Sequence, residues 1–181
     1  WMSWNNASLA LAKESNKPIL LSIGYSACHW CHVMAHESFE DAQTAEVMNQ
    51  LFINIKVDKE ERPDLDKIYQ NAHSLLTERP GGWPLTVFLT PDTQMPIFAG
   101  TYFPKQANHG LPAFTSLLQQ ISDIWQTRKA DIQQQSDALQ SSYQRLYEIS
   151  KPADTLLNRA AIDIARNQIE KQFDSKNGGF S

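Results

Sequence analysis

Two short apolar runs with a helical pattern between them are the strongest structural signal in this chain. Residues 19–25 are apolar except for Ser22 and Gly24, and residues 52–58 predict a second buried strand. Runs of this length are typical of central strands that are covered on both faces of a sheet. Apolar residues recur at helical spacing over residues 28–51, with an irregularity near residues 40–44. Because a strand–helix–strand unit is almost always right-handed, we expect the two strands to be parallel.

Beyond this unit the pattern changes to a hairpin and a series of helices. Two further strands, at residues 85–90 and 96–102, lie too close together for a crossover and favour an antiparallel hairpin. The polar, glutamine-rich stretch 126–137 predicts a helix that leaves the core before four apolar and aromatic residues rejoin a surface: Leu139, Tyr143, Leu146 and Tyr147. Helical spacing of apolar residues predicts four more helices, over residues 5–16, 65–76, 114–125 and 156–173.

The order of these elements predicts an α/β fold, a mixed sheet with helices on both faces. A length of 181 residues is enough for one compact domain with an appendage. We expect residues 1–150 to form that domain. Residues 151–181 then form a linker and a C-terminal helical extension.

Charge and apolar content exclude several classes of partner. The formal net charge is −4, so no basic field gathers the phosphates of nucleic acid or of anionic lipid. No stretch approaches the roughly 20 apolar residues that span a bilayer, and the first residues lack the basic and apolar blocks of a signal peptide. We therefore expect no nucleic-acid partner, no membrane and a cytoplasmic location.

The chain has two cysteines, Cys28 and Cys31, three positions apart. A disulfide between cysteines this close together connects no distant parts of the chain. The spacing is instead typical of a redox pair or of part of a metal site. The pair follows a predicted strand and opens a predicted helix, where unpaired N–H groups and the helix dipole stabilise an anion and lower the pKa of a thiol. We expect Cys28 to be the nucleophile and Cys31 to resolve the mixed disulfide.

Three neighbours of the pair are candidates for tuning its chemistry. His29 lies between the cysteines and His32 follows them, and either imidazolium would favour a thiolate. Two solvent-facing histidines without a catalytic part are an equally good interpretation. Trp30 is interpreted as a lid on the thiols or a docking surface, with a simple exposed aromatic as the plainer alternative.

Two other chemistries share this cysteine spacing. Cys28, Cys31 and His32 form the attachment pattern of c-type haem, but attachment needs export, and the preceding strand favours a redox turn. Zinc needs about four ligands. His32, His36 or the distant His73 could join the cysteines, but the sequence has no second Cys-x-x-Cys pair. We expect neither a metal nor a cofactor.

Six ordered motifs carry a resemblance to a known family. They are residues 17–25, 28–34, 36–41, 57–64, 81–85 and 100–104. Through these motifs, residues 1 to about 150 resemble the thioredoxin-like N-terminal domain of the YyaL and spermatogenesis-associated thioredoxin-like proteins, long catalogued as a domain of unknown function.

The resemblance implies a thioredoxin-like fold with a mixed four- to five-stranded sheet. It implies a longer parent protein with a helical toroid like those of sugar epimerases and glycosidases, of which residues 155–181 resemble the opening helix. It also implies a cis peptide bond at Trp83–Pro84 beside the cysteines. A cis bond there leaves the backbone of residue 83 free to pair with a bound partner.

The sequence departs from the thioredoxin pattern where protons are handled. Ser22 and Asn54 stand where thioredoxins carry a buried acid and a lysine, and Ala35 replaces an acidic residue usual in the family. Proton transfer then falls to water or to a nearby side chain, with three candidates: His29, His32 and Glu37.

The leading hypothesis is a thiol–disulfide oxidoreductase with a Cys-His-Trp-Cys centre. Its partners would be protein or small-molecule disulfides, a reductant of the thioredoxin-reductase type, and the C-terminal domain of its own parent chain. The alternative is a non-catalytic redox-sensing or protein-binding module of a larger protein whose helical toroid carries a sugar-related activity.

Overall fold

A computed structural model describes residues 1–108, 110–147, 159–176 and 178–180. Within these ranges four strands form one sheet in the order β2-β1-β3-β4. β1 and β2 are parallel, while β3 is antiparallel to both β1 and β4. This arrangement confirms the predicted α/β class and the parallel pair. The strands are β1 Ile19–Gly24, β2 Ile53–Asp58, β3 Leu85–Leu89 and β4 Pro96–Gly100.

Seven α-helices lie in the described ranges, and a π-helical segment, Ala35–Phe39, joins the second to the third. The predicted helix over residues 28–51 is therefore interrupted. A new helix starts after Asp41, whose side chain accepts a hydrogen bond from the backbone N–H of Thr44 at 3.0 Å. The helices are α1 Asn6–Ser15, α2 His29–Met34, α3 Ala42–Leu51, α4 Pro63–Thr77, α5 Phe114–Thr127, α6 Lys129–Tyr147 and α7 Arg159–Gln172.

The sheet separates two apolar cores, because alternate residues of each strand point to opposite faces. Leu21 and Ile23 of β1 pack with Tyr69 of α4 on one face. Leu20 of β1 and Phe88 of β3 pack on the other face, against α2, α3 and α5. Helices thus cover both faces, and β1 lies in the middle of the sheet with its carboxyl end leading into the cysteine pair.

The edges of the sheet differ slightly from the prediction. Met2 bridges to β2, donating to the carbonyl oxygen of Asn54 at 2.8 Å and accepting from the N–H of Lys56 at 3.0 Å. This contact is a single bridge. β4 ends at Gly100 rather than at residue 102. The carbonyl of the next residue, Thr101, accepts a hydrogen bond from the hydroxyl of Thr86 at 2.8 Å.

The prediction that residues 126–137 leave the core was wrong. α5 ends at Thr127, and after Arg128 the chain starts α6, which places Ile132 and Ser136 among the buried residues. Leu139, which was expected to rejoin a surface, is also buried. The Nε2 group of Gln135 donates to two carbonyl oxygens of β4, at 3.0 and 2.9 Å. The stretch is polar because most of its side chains face solvent, while Ile132, Gln135 and Ser136 face the rest of the domain.

The chain divides into two compact units, Trp1–Leu146 and Tyr147–Ser181. The second contains α7, all of whose residues are exposed, and a bridge between Phe173 and Phe180. The predicted linker, residues 151–154, lies outside the described residues, so the division into 1–150 and 151–181 stays a prediction. In the described part of the chain, no helix combines the length and apolarity needed to cross a membrane.

Candidate active site

The two cysteines lie where β1 gives way to α2. Cys28 has an extended backbone and caps the first turn of α2, and its sulfur is bonded to that of Cys31 at 2.04 Å. The Sγ atom of Cys28 also accepts a hydrogen bond from the backbone N–H of Cys31 at 3.2 Å. A sulfur held by an N–H group at a helix start is favoured as an anion once the disulfide is reduced.

Gly24, the last residue of β1, allows the disulfide to lie against the sheet. A Cβ atom at this position would stand 2.8 Å from the Sγ atom of Cys31, closer than unbonded atoms of this kind approach. Glycine is therefore needed at position 24 because α2 and β1 lie so close together. An unusual backbone angle is not the reason.

The two sulfurs differ in their surroundings. Cys28 is 3% exposed, whereas Cys31 is partly exposed and lines a cavity of about 420 Å³. Ser22, His32 and Pro84 line the same cavity. Of the predicted site residues, the structure thus places Cys31, His32 and Pro84 around one space.

The outer side of the pair carries an aromatic surface. Trp30 is 54% exposed, and its ring lies 5.7 Å from that of His29 and 5.2 Å from that of Tyr102. The Tyr102 hydroxyl donates to Glu37 at 2.7 Å. Partial burial, and then this carboxylate, raise the pKa of Tyr102 to about 12. Glu37, expected as a candidate for proton transfer, is therefore engaged in holding Tyr102.

His32 is fixed by the loop that precedes the cysteines. Its Nε2 atom lies 2.7 Å from the carbonyl oxygen of Ser26. Since a carbonyl oxygen only accepts, Nε2 carries the proton in this contact. The ring is exposed at the rim of the cavity.

The Trp83–Pro84 peptide bond is cis, as the resemblance implies. The Trp83 indole N–H donates to Asp66 at 2.9 Å. The ammonium of Lys59 lies 3.8 Å from the centre of the Trp83 ring and 4.6 Å from that of Tyr25. These contacts, from α4 and from the loop before it, hold the Trp83 side chain in one orientation.

The positions that replace the thioredoxin acid and lysine are buried. Ser22 is 3% and Asn54 is 7% exposed, and the Asn54 side chain donates to Asn49 at 3.0 Å. Three charged residues line the cavity: Lys56, Asp58 and Glu61. Of these, only Lys56 was not singled out from the sequence, since the acidic run that begins at Asp58 is predicted there to form a loop at the rim of the site. The pairing of Ser22 with Lys56 across the parallel strands is the signal that could have found the lysine, since paired residues face the same side.

A zinc ion at the cysteine pair would need further ligands close to the two sulfurs. Among the residues that the structure describes, no three histidines, cysteines or acidic residues lie close enough together to hold a metal ion. In the disulfide form described here, both sulfurs are also bonded to each other.

Comparison with known proteins places these features in a family. The model of the thioredoxin-like DsbH family, described as a protein of unknown function, DUF255, matches residues 1–144. A protein of Caenorhabditis elegans, B0495.5, is 41% identical over 180 residues, which are 99% of this chain and 24% of that protein. Spermatogenesis-associated protein 20 of Rattus norvegicus is 38% identical over 183 residues, 100% of this chain and 23% of that protein.

Solved structures resemble the chain more distantly. A structure titled DsbH Oxidoreductase has a TM-score of 0.49 at 17% identity and covers 70% of this chain and 84% of its own. A thioredoxin from Thermus thermophilus has a TM-score of 0.47 at 16% identity and covers 68% of this chain and 88% of its own.

The chain spans about a quarter of the length of the curated relatives it matches. The family model covers most of the chain, the sheet has the mixed order described above, and a Cys-x-x-Cys disulfide follows its central parallel strand. The chain therefore has a thioredoxin-like fold and belongs to the thioredoxin-like DsbH family, DUF255.

Proposed function

We propose that this chain is the thiol–disulfide oxidoreductase module of a longer protein. The observation that carries the proposal is the position of the Cys28 sulfur, which caps α2 and accepts the N–H of Cys31. That position favours the thiolate and makes Cys28 both a ready nucleophile and a good leaving group.

The reaction is a two-electron exchange. In the reduced protein, the Cys28 thiolate attacks one sulfur of a substrate disulfide and the other substrate sulfur leaves as a thiolate. Cys31, as thiolate, then attacks the Cys28 sulfur of the mixed disulfide, and the second substrate thiolate leaves. The substrate gains two electrons, and the protein ends as the Cys28–Cys31 disulfide.

The neighbouring residues shape this exchange. Trp30 and His29 form the outer surface on which a substrate lies, and Trp83 with Pro84 presents backbone to an extended partner. His32 stands at the rim and can take or give a proton.

The substrates of the proposed module are protein or small-molecule disulfides, and the reaction takes place in the cytoplasm. A reductase of the thioredoxin-reductase type or a small thiol returns the electrons. The parent's C-terminal domain, a helical toroid by resemblance, contacts this module.

Insulin reduction by dithiothreitol tests the proposal. The chain is compared with Cys28→Ser and Cys31→Ser. We expect the wild type to accelerate reduction, Cys28→Ser to fall to the uncatalysed rate, and Cys31→Ser to accumulate a mixed disulfide with an insulin chain. Equal rates for wild type and Cys28→Ser would favour the alternative, a redox-sensing or protein-binding module beside a toroid with sugar-related activity.

A further inference from the structure

The loop before Pro84 has no regular structure of its own. Residues 80–82 lie outside the helices and strands, and two of them are glycines, Gly81 and Gly82. Because glycine has more backbone freedom than any other residue, contacts from outside the loop must hold it in one position. Among the described residues, the backbone N–H and C=O of Trp83 form no hydrogen bond with another residue. The loop therefore carries a free donor and a free acceptor next to Pro84.

Two residues of α4 hold this loop. The Asp66 carboxylate accepts the Trp83 indole N–H at 2.9 Å. The side-chain amide of Gln70, one turn further along the same face of α4, donates to the carbonyl oxygen of Gly82 at 3.2 Å and to Asp66 at 3.4 Å. Hydrogen bonds to a carboxylate are stronger than those between neutral groups. α4 thus fixes both the side chain of Trp83 and the backbone just before it.

Lys59, in the loop after β2, contacts the ring of the same tryptophan. Its ammonium lies 3.8 Å from the centre of the Trp83 ring and 4.6 Å from that of Tyr25, and the two rings meet edge to face at 5.9 Å. In the described part of the chain, no carboxylate forms an ion pair with Lys59, so its charge acts on the rings. The carbonyl of Tyr25 accepts the backbone N–H of Cys28 at 3.1 Å. Lys59 therefore connects Trp83 with the turn that carries the cysteines.

We propose that Asp66 and Lys59 are positioning residues for the recognition of peptide disulfides, and that both act through Trp83. The inference rests on the proposed function, in which the backbone of Trp83 pairs with an extended partner. Because the loop is already held in place, its free N–H and C=O lose little further freedom when a partner pairs with them, and binding is tighter. A small disulfide without a peptide backbone makes no use of these groups. The two residues thus favour disulfides carried on an extended polypeptide.

The first test compares two substrates of the reduced chain. One is the disulfide-linked dimer of an uncharged pentapeptide with a central cysteine, acetylated and amidated at its ends. The other is bis(2-hydroxyethyl) disulfide, which has no peptide backbone. We expect Asp66→Ala to lower the second-order rate constant with the peptide about three- to tenfold, the size of one hydrogen bond, and that with the small disulfide less than about twofold. Trp83→Phe, which keeps a ring but removes the indole N–H, should have the same effect.

Two further variants serve as controls for Asp66→Ala. The amide oxygen of Asp66→Asn still accepts the indole N–H, so we expect rates close to the wild type with both substrates. Lys67→Ala, an exposed change on the same helix, should change neither rate. The proposal is overturned by equal losses of Asp66→Ala with both substrates, by no loss with the peptide, or by an Asp66→Asn chain as slow as Asp66→Ala.

A methylated form of the peptide tests the pairing directly. N-methyl groups on the cysteine and its two neighbours remove their N–H donors and leave the disulfide unchanged. We expect this peptide to react more slowly than the unmethylated one with the wild type, and equally fast with the wild type and Asp66→Ala. A loss in Asp66→Ala as large as that with the unmethylated peptide would contradict a role through backbone pairing.

The same peptide tests Lys59. Lys59→Met keeps the aliphatic stem and removes the charge. We expect it to slow the reaction with the peptide about two- to fivefold, the size of an exposed contact between a cation and a ring, and Lys59→Arg to stay close to the wild type. Because the peptide is uncharged, its attraction to a distant charge does not enter the comparison. Equal rates for Lys59→Met and the wild type, or equal losses in Lys59→Met and Lys59→Arg, would exclude this role of Lys59.

The small disulfide also separates failure of this inference from failure of the proposed function. Its rate is measured with the wild type and with Cys28→Ser. A faster reaction in the wild type shows that the thiol chemistry is intact, so that a negative result with the peptide then counts against the positioning residues alone. Equal rates would remove the oxidoreductase function, and the positioning role with it.

Discussion

At the scale of single residues, Gly24 controls how closely the disulfide approaches the sheet. We predict that Gly24→Ala destabilises the oxidised chain by about 1–3 kcal/mol, the usual cost of forcing extra volume into a packed site. The loss should be smaller in the reduced chain, where the Cys31 thiol can rotate away. Urea unfolding of both redox forms measures the two values.

Gly82→Ala is the matched control for this prediction. A Cβ atom at Gly82 would stand 3.7 Å from the methyl group of Thr101, an ordinary contact distance. We expect its free energy of unfolding to stay within about 0.5 kcal/mol of the wild type. Equal losses for Gly24→Ala and Gly82→Ala would show that contact with the disulfide does not decide the outcome.

Those features of the site that depend on neighbouring residues in the sequence could be predicted. Cys28 and Cys31 could be assigned to a strand–helix junction, because spacing and flanking patterns are local. Lys56 could not be placed beside them, since its position depends on strand register. The hydrogen bond from Tyr102 to Glu37 could not be predicted for the same reason, because the two residues lie 65 positions apart in sequence.

At the scale of elements, α6 shows that a polar helix can still complete a core. We predict that Ile132→Ala costs about 2–5 kcal/mol, since this side chain is 6% exposed and packs in the core between α5 and the sheet. Ile162→Ala, on α7 at 69% exposed, should cost less than about 0.5 kcal/mol. Urea denaturation compares them, and a loss at Ile132 no larger than that at Ile162 would contradict the described packing.

The start of α3 gives a prediction about pH. Lys105, and then the N–H and hydroxyl of Thr44, lower the pKa of Asp41 to about 2. In the unfolded chain the pKa of an aspartate is about 3.9. The ionised Asp41 therefore stabilises the fold fully at pH values above about 4, and this stabilisation is lost as the pH falls from about 4 to about 2. We predict that Asp41→Asn is less stable than wild type at neutral pH and that the difference disappears toward pH 2.

Glu46→Gln, an exposed change on the same helix, serves as the control for this pH series. It should follow the wild-type profile throughout. If the difference between wild type and Asp41→Asn stayed constant down to pH 2, the ion pair with Lys105 would not be the source of the stabilisation.

Most elements were predictable because their apolar periodicity is strong. The four strands and the helices over 5–16, 65–76 and 114–125 recur in the structure with shifts of a few residues at their ends. The π-helical segment and the restart at Asp41 were signalled only by a short irregularity in the pattern. The bridge from Met2 to β2 has no sequence signal, since a single backbone pairing imposes no periodicity.

At the scale of the whole molecule, both apolar cores are built from residues of the first unit. We predict that a chain ending at Tyr147 folds cooperatively, with a free energy of unfolding within about 0.5 kcal/mol of the 181-residue chain. Calorimetry and urea unfolding of the two chains provide the comparison. Loss of cooperative unfolding on truncation would mean that residues 148–181 are needed for the fold.

The central claim is that the site makes Cys28 an activated thiol. It is tested most directly by the pKa of this thiol in Cys31→Ala, measured from the ultraviolet absorbance of the thiolate across pH. The lone Cys31 of Cys28→Ala is the control. The account predicts a pKa for Cys28 below that of Cys31 and clearly below the value of about 8.5 for a free thiol. A pKa for Cys28 at or above 8.5, or no lower than that of Cys31, would contradict it.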